Sequence, residues 1–142
     1  QITQILEANP SIQWTLTSSR RTPPSTTAQL EKLSKEQLKV IPVEATDKDW
    51  LPRELSMTAH VWVTDDSVSM VYEALSSGAK VGLLPTPIKT TSSRVVCGLE
   101  SLKQNGYLMN YWENQADLDK FKNPPPLNEA ERIAKIVAER FL

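Results

Sequence analysis

A chain of 142 residues, 39% apolar and 23% charged, is long enough to build one domain around its own core without disulfide or metal staples. A net charge of −1 supplies no basic field for nucleic acid or anionic lipid, which argues against a nucleic-acid partner. The single cysteine, Cys97, leaves no disulfide framework and no CxxC pair and reads as a small core residue, while no apolar run approaches the roughly 18 residues of a transmembrane segment.

The first element is a helix already in progress at Ile2, Ile5 and Leu6, closed by Asn9-Pro10. A chain that opens at Gln1 in this way reads as the C-terminal part of a longer two-domain protein whose N-terminal domain is missing. It also reads as intracellular and cytoplasmic, with a full-length parent able to lie peripheral to a membrane. Ile12 to Thr17 alternate as a buried strand, and "TSSRRTPP" comes next. Pro23 and Pro24 are expected to delay the next helix, with Thr26 and Gln29 as a capping box ahead of Leu30, Leu33 and Leu38.

A second strand is predicted at Val40 to Val43, a short helix around Pro52 to Met57, and a third strand at Val61 to Val63. The helix after it carries Val68, Val71, Tyr72, Leu75 and Ala79 at i, i+3, i+4, i+7 and i+11, and Gly78 is its expected left-handed stop. "KVGLLP" is a fourth strand. Ser93 to Asn105 is a helix ended by Gly106, and "YLMNYW" is a short fifth strand. "NPPPL" is a rigid linker to a terminal helix capped by Asn128 and Glu131, with the stripe Ala130, Ile133, Ala134, Val137 and Phe141. The order predicts one α/β domain over 1–142, a three-layer Rossmann-like domain with a mostly parallel sheet and helices on both faces.

Ligands in such sheets bind beyond the carboxyl ends of the strands. Two loops are singled out, Ser18 to Thr22 and Thr64 to Ser69, and both are expected at one sheet edge. In the second, "TDDSVSMVYEALSSGAK" (64–80), a strand becomes a helix through two acids and two serines. Open N–H groups at a helix start suit a phosphate, Ser67 and Ser69 add hydroxyls, and Glu73, one turn beyond Ser69, could accept from a ribose diol. Plain capping is the competing account: Asp and Ser are preferred helix caps, and an acid near a helix start is favourable with no ligand. Asp65 and Asp66 read as shaping the turn, since no His accompanies them as a base or metal partner, and no metal site or cofactor is expected. In the first loop the guanidinium groups of Arg20 and Arg21, beside Ser18 and Ser19, match phosphate oxygens, although an exposed Arg pair is commonly a solvated surface feature. Lys89 to Arg94 form a polar stretch that could reach the same edge. His60 lacks an evident partner, and Trp14, Trp50, Trp62 and Trp112 read as core or interface anchors.

"SSRRTP" (18–23) and "VTDDSVSMVYEALSSGAKV" (63–81) resemble segments of the mitochondrial-fission elongated-mitochondria protein family. That family is similar in turn to the C-terminal half of glycosyltransferases with two facing Rossmann-like domains. The chain carries "DWLPREL" where the family pattern has an Asn-Pro-Tyr-like segment. The resemblance implies nucleotide-sugar binding by Ser67, Ser69, Met70 and Glu73, with the ribose on Glu73 and the diphosphate at the helix start. Asp66, Ser19, Arg20 and Arg21 neighbour that ligand, with an arginine assisting at the leaving diphosphate. It implies a nucleoside-diphosphate sugar as substrate and no cofactor; the acceptor side and any catalytic base come from the missing N-terminal domain, so this piece alone would be inactive. The alternative is a non-catalytic interaction or scaffold protein that keeps the fold. A sugar-nucleotide epimerase would need catalytic acids and bases that the chain does not display.

Overall fold

The computed structural model describes residues 1–87, 93–111 and 116–141. Helices and strands alternate through it, every strand pairing is parallel, and the strands form a two-stranded and a three-stranded sheet, an arrangement that fits an α/β Rossmann-like fold. The chain divides into two compact units, residues 1–57 with 112–120, and residues 58–111 with 121–142.

In the first unit, α1 (Ile2–Ala8) buries Ile5 and Leu6. Its last carbonyls are satisfied by side-chain amides: Asn9 Nδ2 donates to Ile5 O (2.8 Å), and Gln37 Nε2 donates to Leu6 O (3.1 Å). Strand β1 (Trp14–Thr17) pairs with β2 (Leu38–Ile41), Trp14 opposite Leu38 and Thr17 opposite Ile41. Between them runs α2 (Pro24–Glu31), which corrects the expected start. Pro24 takes the first helical position, where no N–H is needed and its fixed φ is already helical, so the Pro pair begins the helix instead of delaying it. Pro23 O accepts from the amides of Thr26 and Thr27 (2.9 and 3.0 Å), and the Thr26/Gln29 box is not formed. Leu38 leaves the predicted helix stripe and becomes a fully buried residue of β2, while α2 itself buries none fully. A 3-10 turn (Val43–Ala45) and α3 (Trp50–Ser56), which buries Leu55, complete the unit with a second 3-10 turn, Leu118–Lys120.

The second unit holds the larger core. Strands β3 (His60–Thr64), β4 (Lys80–Leu84) and β5 (Leu108–Asn110) run in the order β3-β4-β5, and the central β4 buries Val81, Gly82 and Leu83. Helix α4 (Val68–Ser76) crosses between β3 and β4 and buries Val71, Ala74 and Leu75. The predicted stripe is thus shifted slightly: Ala74 is fully enclosed, whereas Val68 and Tyr72 lie half-buried at its margin. Gly78 ends α4 with φ +83°, its N–H bonded to Leu75 O at 3.0 Å. Helix α5 (Ser93–Gln104) buries Leu99 and Leu102. It ends in a full Schellman motif, with Gly106 at φ +78°, Gly106 N–H on Lys103 O and Tyr107 N–H on Leu102 O. Cys97 is exposed, a correction to the expected core position: Leu99 and Leu102 define the inward face of α5, and residue 97 falls on the other side.

Trp62 is opposite Gly82 in the β3–β4 register, and its ring fills the space that a Cβ on Gly82 would need. Phe121 and Tyr111 pack edge-on against that indole, with centroids 5.1 and 5.9 Å away. The last helix, α6 (Glu129–Phe141), opens with the expected cap: Asn128 Oδ1 accepts from the Glu131 amide (3.1 Å), and Asn128 Nδ2 donates to Glu131 Oε2 (3.1 Å). Its apolar stripe is exposed at Ala130, Ile133, Ala134 and Val137. No helix of the described residues is long and apolar enough to cross a membrane.

Candidate functional site

The carboxyl ends of β3 and β4 lie side by side, Thr64 opposite Leu84, and the chain leaves β3 through a tight turn. Asp65 N–H donates to Leu84 O (3.0 Å), prolonging the ladder by one rung, and Ser67 N–H donates to Thr64 O (3.0 Å). Helix α4 then starts, and its first bond runs from Val71 N–H to Ser67 O (3.0 Å). The amides of Val68, Ser69 and Met70 precede that bond, so they stand at the positive end of the helix as the donors a phosphate would use.

Ser67 occupies the N-cap position at φ −101° and ψ 64°, yet its hydroxyl makes no capping bond to α4. Ordinary capping would put that oxygen on the second or third helical amide. Ser69 and Glu73 are on α4, separated by about one turn, ~6 Å along the axis, and Glu73 is exposed. Asp66, Ser67 and Met70 accompany them on the turn and the first helical residues. Five of the proposed ligand residues, Asp66, Ser67, Ser69, Met70 and Glu73, are therefore assembled on one turn and the helix it starts.

Asp65 has a different task. Its Oδ1 accepts both the amide of Thr86 (3.0 Å) and the Thr86 hydroxyl (2.6 Å), tying the end of β3 to the residues after β4. The short O–H···O contact to an acidic group is of the charge-assisted kind. Thr86 carried no signal in the sequence, because its bond is made across a parallel strand pair and not within one element.

Ser19, Arg20 and Arg21 lie after β1, in the first unit. Thr22 N–H donates to Ser19 O (2.9 Å), Ser19 N–H donates to Thr22 Oγ1 (2.9 Å), and Arg21 N–H donates to Ser19 Oγ (3.2 Å), so the two hydroxyls close a local turn. Arg20 and Arg21 extend exposed from it. Ser18 Oγ accepts from Val43 N–H (3.1 Å) beyond the end of β2. The expected common sheet edge is corrected: β1 belongs to the two-stranded sheet and β3 to the three-stranded one. Alternation and apolarity reveal that a strand is buried but not which strand it pairs with, and the edge was inferred from the pattern alone. Of the polar stretch Lys89 to Arg94, residues 89 to 92 lie outside the described residues, as does Trp112.

His60 stands at the opposite end of β3, edge-on to Phe121 at 5.3 Å. Burial, and secondarily the charge of Lys80, hold its imidazole below its ordinary value. Among the described residues its Nε2, like Nε1 of Trp14 and of Trp62, is buried without a hydrogen-bond partner. The rings of His60 and Trp62 both pack against Phe121. No group of three or more His, Cys, Asp or Glu among the described residues could hold a metal ion.

No curated protein and no solved structure matches the chain. A family model does, over nearly its whole length and including both loops. The chain matches the model of mitochondrial fission ELM1 over residues 1–141, and it belongs to that family.

Proposed function

We propose that the chain is the nucleoside-diphosphate-sugar-binding half of a glycosyltransferase-like protein. The diphosphate lies at the start of α4, against the amides of Val68, Ser69 and Met70 and the hydroxyls of Ser67 and Ser69, and the ribose diol bonds to Glu73. The charge that develops on the leaving diphosphate is met by that helix start, and the acceptor is bound by a domain preceding this chain. The observation that carries the reading is the start of α4: the amides of Val68, Ser69 and Met70 precede the first helical bond, and the exposed Glu73 stands one turn beyond Ser69. What supports the reading is that the helix-start amides and the acceptor Glu73 stand about one turn apart on α4.

The test is calorimetric titration of the longest available parent with UDP, GDP, ADP and CMP sugars. One of them should bind, and Glu73→Ala should weaken it by roughly ten- to a hundredfold, as expected for losing a charged acceptor of two hydroxyls. Binding of none, or binding indifferent to Glu73→Ala, overturns the reading.

One observation favours a second reading, a non-catalytic interaction protein that retains the fold: Ile133 and Val137 of α6 expose 53% and 46% of their surface on one stripe. A stoichiometric partner that survives Glu73→Ala and is lost with Ile133→Asp and Val137→Asp would carry it.

A further inference from the structure

We infer that Asp65 is a positioning residue for the diphosphate end of the site, acting through Thr86; the inference rests on the nucleotide reading of α4. Asp65 is fixed from both sides. Its backbone is bonded to Leu84 O at 3.0 Å, and its carboxylate takes the Thr86 amide at 3.0 Å and the Thr86 hydroxyl at 2.6 Å. Ser67 is next held by Thr64 O, and Val68 begins the helix. Only Asp66 and Ser67 lie between the latched residue and the first helical amide, so the direction of those amides is set by where Asp65 is held.

The charge of Asp65 works against a phosphate, because a carboxylate close to such a site opposes anion binding by its field. Its presence there is accounted for by geometry: a neutral acceptor would make weaker bonds to Thr86, and two bonds to one oxygen, the hydroxyl one short, fix the end of β3 more firmly than one. Field and geometry therefore predict opposite signs for removing the side chain. If only the field mattered, Asp65→Ala would tighten diphosphate binding. If the latch positions the amides, the same change loosens it.

The experiment titrates the parent protein with UDP, GDP and ADP and, as a phosphate-free probe, with the nucleoside of whichever one binds. Asp65→Ala and Thr86→Val should each weaken the diphosphate about tenfold, with the double variant no weaker than either, because both break one unit of structure. Thr86→Ser keeps the hydroxyl and should bind as the wild type does. Affinity for the nucleoside, which depends on Glu73 and not on the helix start, should stay within about twofold of the wild type. A merely structural role would lower both affinities together, which overturns the inference, as does unchanged or tighter diphosphate binding by Asp65→Ala. Should Asp65→Ala fail to fold, the Thr86→Val and Thr86→Ser pair decides on the same criteria. Absence of diphosphate binding in the wild type overturns the nucleotide reading itself and the inference with it, whereas wild-type binding unaffected by the latch overturns the inference alone.

Discussion

At the carboxyl end of β1 and at the carboxyl end of β3 the chain uses one device with two chemistries. The first residue after each strand reaches across to the end of the neighbouring parallel strand and accepts a backbone N–H: Ser18 from Val43 at 3.1 Å, Asp65 from Thr86 at 3.0 Å. Ser18 offers a neutral hydroxyl and one such bond, while Asp65 offers a carboxylate and takes a second bond from the Thr86 hydroxyl. The chain beyond each latch differs too. After Ser18 it closes a local hydroxyl-stitched turn, and α2 begins with Pro24, which has no N–H to give. After Asp65 it enters α4 through an N-cap serine that does not cap. The first loop thus carries two exposed arginines, the second leads into α4, and the latch made of two bonds is the one that precedes α4.

The contrast between the two strand ends is broken most severely by disturbing the sheet that carries the second loop. Gly82→Ala puts a Cβ into the indole of Trp62 and 2.9 Å from Phe121 Cζ. Overpacking of this kind should cost about 1–3 kcal/mol, read by urea or thermal melting. Amide exchange should rise in residues 58–111 more than in residues 1–57. Gly98→Ala is the internal control: nothing lies within 4 Å of its added Cβ, and replacing a helical glycine should stabilise by up to about 1 kcal/mol. A neutral Gly82→Ala would show that Trp62 is not the packed centre of the second unit.

The two latches themselves give the next effect. Asp65→Ala should cost about 1.5–3 kcal/mol, the range for bonds to a charged group, and Ser18→Ala about 0.5–1.5 kcal/mol, the range for one neutral bond. Urea midpoints at constant slope measure both. Equal losses would mean that charge adds nothing at Asp65 and that the two strand ends are held alike.

Much of this was legible in the residues. Element order followed from apolar spacing and from Gly78 and Gly106, because a left-handed stop has few alternatives in chemistry. The Asn128–Glu131 cap was equally readable, since both partners lie within four residues. Bonds between distant segments were not: Asp65 with Thr86 and Ser18 with Val43 depend on strand pairing, which alternation does not encode. The Thr26/Gln29 box failed because a competing start one turn earlier, Pro24 at the first helical position, satisfied the backbone without a side chain. Around α4, spacing located Ser67, Ser69 and Glu73 correctly on one turn and helix, but the lack of a capping bond at Ser67 is a matter of dihedrals that composition cannot reveal.

The smallest effect is a pH slope, and it separates the units by chemistry. His60 is the only histidine in the chain, so titration of an imidazole can act only in the second unit. Burial first, and Lys80 second, hold its folded-state value below the ordinary 6.5 that it regains on unfolding. Between those two values the unfolded chain binds more protons than the folded one, so stability must rise with pH there and fall as the medium is acidified through 6.5. The slope is bounded by about 1.4 kcal/mol per pH unit, reached only if one state is fully protonated and the other not. It vanishes once the folded imidazole is protonated as well. Asp47, held low by its hydrogen bond to Arg53, and Glu129, held low by its bond to Arg132, give a slope of the same sign in a more acidic window: their contributions persist above 3.8 and 4.5 and are lost only below those values. Melts between about pH 7.5 and 5.5 therefore isolate His60. His60→Gln should flatten the slope, and amide protection should fall with pH in residues 58–111 while residues 1–57 hold theirs. An unchanged slope in His60→Gln would remove the imidazole from the account. A slope shared equally by both units would mean that they unfold as one, and the contrast between a locally stitched loop and a latched one would then lie in geometry alone, without separate stabilities behind it.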